Sequence, residues 1–224
     1  MTPLTQPALF ELLEASTGAV ELFPAVWSAA EDLADPDVKS RMAALEQLVE
    51  MNAPRLSPLV AYLIATRLAD PDLEMRCQVV QVLGELLALD NEGRMADENV
   101  RQYLTAYLSQ MRTRLVFSLL QVSERFASAD ANIARLLNAC PFAGEHLVGI
   151  LGDRTNAFTI RKKAIYFVGL VGYLDAIPAL ERLETRLEAR LNGQQSMPFV
   201  QSSSFEEEDL LPAVRLALSS LRLP

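Results

Sequence analysis

The sequence predicts an all-α protein, and three observations carry that prediction. Glycine is scarce, nine in 224 residues, while Leu, Ala, Glu and Arg dominate, which favours helices over a turn-rich β fold. The segment Leu33-Ala34-Asp35-Pro36-Asp37-Val38 returns 35 residues later as Leu68-Ala69-Asp70-Pro71-Asp72-Leu73, identical at five of six positions. A second signature, an acid followed by two mostly apolar residues and then Pro-Ala-apolar, occurs at Glu21, Asp175 and Asp209.

The duplicated segment opens a helix for physical reasons. Asp35 and Asp70 are placed as N-caps, accepting from exposed first-turn N–H groups, with Pro36 and Pro71 at the first helical position. Val38, Met42, Leu45 and Val49 then recur at helical spacing and predict one apolar face. The duplication continues downstream: Arg41 falls on Arg76, Met42 on Cys77, Leu45 on Val80 and Leu48 on Leu83.

The second signature marks another set of helix starts. In Glu21-Leu22-Phe23-Pro24, Asp175-Ala176-Ile177-Pro178 and Asp209-Leu210-Leu211-Pro212 the proline lies in the first turn, where its N–H has no intrahelical partner. Leu56-Ser57-Pro58-Leu59-Val60 is a weaker version, with Arg55 in place of the acid. Alternating the two signatures gives five helix pairs. First helices are expected near 7–16, 36–51, 72–89, 110–127 and 157–172, and second helices near 21–33, 55–68, 97–108, 131–151 and 175–191. The fourth second helix is broken by Pro141 and Gly144, and a closing helix at about 209–222 has no first-helix partner. Gly84 and Gly169 occupy nearly the same place in two first helices, which points to close helix packing.

This layout resembles the HEAT-repeat family, of the type found in bilin-lyase HEAT-like proteins, most strongly over 33–87 and 151–191. The resemblance implies a HEAT-like α–α superhelix, or solenoid, of about five antiparallel helix pairs plus a C-terminal capping helix, forming a single domain over 1–224. It also implies a ladder of aspartates and arginines joining neighbouring repeats. Asp35 with Arg41 and Asp70 with Arg76 match that ladder at one spacing, Asp153 with Arg161 has two extra residues between them, and Arg112 holds the arginine position of a divergent repeat. A single repeat cannot bury its apolar face, so the array is expected to fold as a unit.

Residues 192–208 (Asn-Gly-Gln-Gln-Ser-Met-Pro-Phe-Val-Gln-Ser-Ser-Ser-Phe-Glu-Glu-Glu) lack helical periodicity and are expected to form a mobile loop. The alternative is a lid in which Met197, Phe199 and Phe205 dock onto the helices or a partner.

Charge and composition exclude several classes of function. The formal charge of −9 argues against binding a polyanion, so no nucleic-acid partner is expected. That charge is concentrated: residues 1–98 carry 17 acidic and 6 basic side chains, a body suited to a partner with a cationic surface. A single histidine and two cysteines exclude multi-histidine metal sites, a disulfide framework and an all-cysteine zinc site, and no metal, cofactor or catalytic site is expected. Met1–Gln6 lacks the layout of a signal peptide, and no uncharged apolar run reaches membrane-spanning length. A soluble cytoplasmic protein without membrane insertion is the expectation.

Candidate chemistry is sparse. His146 lies beside an apolar stretch and reads as a capping or partly buried residue. Cys77 aligns with a core position; Cys140, just before Pro141 at a helix break, is the better placed of the two for exposure and reactivity, but an unreactive thiol is the expectation there too. Gly169-Leu170-Val171-Gly172 lacks a phosphate-loop arrangement. Arg154, Arg161, Lys162 and Lys163 form the one dense basic cluster, read as a solvated face with a phosphate patch as the alternative.

If the family's concave second-helix face is the one that binds, the contact residues are Tyr62, Thr66, Gln102, Tyr103, Tyr107, Arg182, Thr185 and Glu188, with Glu181 beside them. Tyr103 and Tyr107 are one turn apart and share a face. The functional expectation is a non-catalytic scaffold or adaptor that binds another protein. The alternatives are an enzyme of the bilin-lyase type, with Cys140 and the apolar second helices lining a pocket, or a self-associating structural subunit. The DNA-glycosylase version of the fold needs a basic, aromatic-rich groove, which this acidic chain with one tryptophan, Trp27, does not offer.

Overall fold

The structure is a computed structural model describing residues 23–191 and 209–222, and all regular secondary structure among them is helical. Twelve α-helices follow in order: α1 Pro24–Asp32, α2 Val38–Glu50, α3 Ala53–Leu56, α4 Pro58–Thr66, α5 Leu73–Leu86, α6 Glu98–Leu108, α7 Thr113–Arg125, α8 Asp130–Asn138, α9 Ala143–Gly152, α10 Phe158–Val171, α11 Ile177–Leu191 and α12 Leu210–Arg222. The expected helix at 7–16 and the expected loop at 192–208 lie outside the described residues. No helix among the described residues is long and apolar enough to cross a membrane.

The chain divides into two compact units. The first takes the described residues up to Met111 together with Gln121–Pro141, and the second takes Arg112–Leu120 together with the described residues from Phe142 onward. Helix α7 contributes its first part to the second unit and its last part to the first.

In the first unit α1 packs on α2, α2 on α5, α4 on α6 and α5 on α8. Leu45 and Leu48 of α2, Ile64 of α4, Met75 and Leu83 of α5 and Leu104 of α6 are fully buried in its core. The helix starts differ from expectation by one aspartate. Asp37, not Asp35, caps α2 by accepting from the Ser40 N–H at 3.3 Å, and Asp72, not Asp70, caps α5 by accepting from the Met75 N–H at 2.8 Å. Asp35 and Asp70 instead accept from the N–H groups of Asp37 and Asp72, at 2.7 and 2.9 Å. Each Asp-Pro-Asp triplet is therefore a side-chain-closed turn followed by a cap, with the proline inside the turn and not at the first helical position.

The buried stripe of α2 is also rotated from the expected one. Arg41, Ala44, Leu45 and Leu48 are buried, while Val49 is 43 % exposed. The helix turns so that Arg41 faces inward, because its guanidinium finds partners there. At α4 the cap is Ser57, whose hydroxyl accepts from the Val60 N–H at 3.2 Å, with Pro58 at the first helical position.

The second unit packs α9 on α10, α10 on α12 and α11 on α12. Phe167, Ala164 and Ile165 of α10 and Leu180 of α11 are buried. Between α8 and α9 the chain breaks over Ala139–Phe142, where Pro141 lies; Gly144 does not break it but sits in the first turn of α9, facing the Tyr173 ring.

Helices α5 and α10 are duplicates: each has 14 residues, an arginine at the fourth position (Arg76, Arg161) and a glycine at the twelfth (Gly84, Gly169). The glycines mark close crossings, as the sequence implies. A Cβ on Gly84 would lie 2.4 Å from Asn132 Cβ of α8, and one on Gly169 would lie 3.0 Å from Ala217 Cα of α12.

Candidate functional site

Two groups of residues have candidate roles: the Asp–Arg series that ties helices together, and the polar and aromatic residues on the second helices. The Asp–Arg series begins at Arg41. Its Nη1 donates to the carbonyl oxygens of Asp35 and Pro36 at 2.9 and 3.0 Å, and its Nη2 donates to Asp70 Oδ1 at 2.8 Å. The carboxylate that closes one Asp-Pro turn thereby receives the arginine of the preceding unit. Arg76 occupies the same helical position but donates through Nη1 to Gln121 Oε1 at 2.8 Å. Burial pulls the Arg76 guanidinium below its usual range, against the opposing pull of Asp70 and Asp72.

In the second unit Asp153 repeats the turn of Asp35 and Asp70, accepting from the Thr155 N–H at 2.9 Å and the Thr155 hydroxyl at 2.8 Å. The two extra residues before α10 are absorbed in the loop, where the Asn156 amide donates to the Ile150 carbonyl at 3.1 Å. Arg161 is 4 % exposed and donates through Nε to the Leu151 carbonyl at 3.0 Å, so it too holds the carbonyls of the preceding turn. Arg112 departs from the expected series. It precedes α7 by one residue and is exposed, and the fourth position of α7 is Val116.

The expected contact residues divide between the units. In the first, Tyr62 of α4 and Tyr107 of α6 meet edge to face with ring centroids 5.5 Å apart. Burial raises the Tyr107 phenol above its usual range, with Tyr62 adding to the rise and Arg67 opposing it. Thr66, one turn from Tyr62, donates to the Leu63 carbonyl at 2.6 Å and accepts from Arg67 Nε at 3.2 Å. Tyr103 is half-buried on α6, and exposed Gln102 donates to Glu98 Oε1 at 3.1 Å. The packing of α4 on α6 thus gathers Tyr62, Thr66 and Tyr107 into one ordered patch.

In the second unit Arg182 and Thr185 are exposed on α11, and the Thr185 hydroxyl donates to the Glu181 carbonyl at 3.0 Å. Glu188 has an internal task that spacing does not reveal. With Glu184 it clasps Arg215 of α12 at 2.6 and 3.1 Å, and Glu181 accepts from Arg222 at 2.6 Å. These pairs run in opposite sequence directions, so α11 and α12 are antiparallel. The two carboxylates hold the Arg215 guanidinium above its usual range.

Cys140 does not have the exposure that its place at a helix break allowed. It is 1 % exposed, and its Sγ lies 4.0 and 3.9 Å from the Ser109 and Met111 carbonyl oxygens, because the chain turns inward before Pro141. Cys77 is a core residue as expected, 7 % exposed, with its thiol pushed up by burial and by Glu74. His146 is half-buried, with Nδ1 3.0 Å from the Thr113 hydroxyl.

The basic cluster differs in membership from the expected one. Arg161 is buried, Lys162 Nζ lies 5.8 Å from the Phe158 ring centre and Lys163 Nζ lies 5.4 Å from that of Tyr166. Arg186 and Arg190, one turn apart on α11, join Arg154 and Arg161 electrostatically. Burial lowers the Arg186 and Arg190 guanidinium groups, and the charges of Arg154 and Arg161 lower them further. Arg154 and Arg161 are neighbours by spacing, whereas their interaction with Arg186 and Arg190 depends on the placement of α11 and is invisible to it.

Among the described residues no group of three His, Cys, Asp or Glu is placed to hold a metal ion. Compared with known protein families, with curated proteins and with solved structures, the chain matches none.

Proposed function

We propose that this protein is a HEAT-like α-solenoid acting as a non-catalytic, cytoplasmic scaffold that binds another protein through its second helices. The single observation that carries the reading is the Arg41–Asp70 ion pair between two copies of the same turn-and-helix unit. It supports a repeat-built body in which one turn-and-helix unit is fastened to the next by an ion pair, leaving the second helices to present side chains outward. The patch formed by Tyr62, Thr66 and Tyr107, with Tyr103 and Gln102 on the same helix α6, supports a protein partner: tyrosine offers apolar area and a hydrogen-bonding tip with little conformational freedom to lose. The acidic balance of residues 1–98 favours a cationic surface on that partner.

The bilin-lyase alternative places Cys140 and the apolar second helices around a pocket, and the Cys140 thiol is buried, 1 % exposed. A native-lysate pull-down with crosslinking mass spectrometry tests the scaffold reading. Crosslinks from one or two proteins to α4, α6 or α11 are expected. Crosslinks confined to the first helices, or no captured protein at all, would count against it.

A further inference from the structure

We propose that the groove between α10 and α12 is a face on which two copies of this chain associate. The groove encloses about 630 Å³ and is lined on one side by Tyr166 and Leu170 and on the other by Leu216, over a floor of Gly169 and Ala217. Tyr166 is 41 % exposed, Leu170 49 % and Leu216 66 %. Isolated exposed apolar residues are ordinary on a protein surface, but three lining one concavity mark an interaction site.

The duplicated helix shows that this apolar character is particular to α10. Aligning Arg76 with Arg161 and Gly84 with Gly169 places Gln81 against Tyr166 and Glu85 against Leu170. In α5 these two positions are polar, half-buried at Gln81 and exposed at Glu85, as suits a surface that meets water. In α10 the same two positions are large and apolar while still partly open. Each helix crosses a neighbour at its glycine, and the same alignment sets exposed Lys162 of α10 against buried Cys77 of α5, so this stripe is more open in α10.

Charge selects the occupant. The groove is also lined by Lys162 and Asp209, one of each sign, and among the described residues neither joins an ion pair. A partner bearing a uniform charge would meet repulsion from one of them. A second copy related by a twofold axis brings the Lys162 of each chain to the Asp209 of the other, two complementary pairs around an apolar centre. The inference does not depend on the scaffold reading, which concerns α4, α6 and α11.

Analytical ultracentrifugation of the full chain at tens of micromolar tests the proposal. The wild type is expected to sediment at twice the 24.8 kDa chain mass. Leu216→Asp is expected to weaken association at least about tenfold, while Leu89→Asp, at an equally exposed apolar position in the first unit, leaves it unchanged. Lys162→Asp and Asp209→Lys should each be monomeric alone. Mixed in equal amounts they should associate, because both pairs are restored in the mixed dimer. A monomeric wild type, a dimer indifferent to Leu216→Asp, or a mixture that stays monomeric would each overturn the proposal.

Discussion

Arg41 and Asp70, 29 residues apart in the chain, form a buried ion pair at 2.8 Å, with side chains 8 % and 1 % exposed. The guanidinium also holds two carbonyl oxygens of its own turn through Nη1, and Asp70 Oδ1 also receives the Asp72 N–H, while Arg41 Nε is buried with no hydrogen-bond acceptor. Breaking such a pair leaves a buried charge uncompensated, which costs more than the pair itself contributes.

Asp70→Ala is therefore expected to lower the unfolding free energy by about 3–5 kcal/mol. Asp72→Ala, which removes the helix cap two residues away, should cost only about 1 kcal/mol. Urea denaturation of both variants checks the ordering. Equal losses would mean that Asp70 is only another cap.

The glycines separate close packing from helix propensity. Gly84→Ala must push Asn132 aside and is expected to destabilise by about 1–3 kcal/mol. Gly149→Ala in α9, with nothing within 4 Å of the new methyl, should stabilise by roughly 0.5–1 kcal/mol. Thermal melts of the two variants should shift in opposite directions.

Both thiols are buried, and burial raises that of Cys77, so neither should react with a maleimide in the native protein. Full labelling on denaturation with slow native labelling is the expected pattern. Fast native modification of Cys140 would contradict its placement and revive a reactive-thiol function.

Two aspartates tie stability to acid pH. Asp90 is held below the usual carboxylate range first by the Arg94 N–H, then by the Glu92 N–H and the Arg94 side chain; Asp153 is lowered by the N–H and hydroxyl of Thr155 and then by Arg161. A carboxyl with a depressed folded-state pKa contributes stability above its unfolded pKa of about 3.9 and loses that contribution as pH falls through the lower folded value. Melting temperatures should therefore fall below about pH 4. In Asp90→Asn and Asp153→Asn the fall should be shallower. An unchanged acid limb in both variants would contradict the linkage.

What was legible in the sequence follows from what is local. The all-helical class and the order of the helices could be read because helix starts are specified by neighbouring Asp, Pro and Ser residues, and because apolar spacing reports 3.6-residue periodicity. The choice between Asp35 and Asp37 as cap could not be read, since both have the chemistry and only the turn geometry decides. Nor could the inward turn of Arg41, because its partner Asp70 lies a whole unit away. Arg112 shows the same limit: residue type suggested the arginine position, but the helix begins after it. Of the candidate contact residues, spacing sets Tyr103 and Tyr107 one turn apart, whereas the Tyr62–Tyr107 contact and the duty of Glu188 toward Arg215 depend on helices that meet only in three dimensions.

The most direct test of the scaffold account is the affinity of the captured partner for a chain carrying Gln102→Ala, Tyr103→Ala and Arg182→Glu. These residues are exposed or half-buried on the second helices, and none belongs to the Arg41–Asp70 link. The account predicts binding at least about tenfold weaker, the loss expected when an interface tyrosine is truncated, while cooperative thermal unfolding is retained. Undiminished affinity in this variant would contradict it.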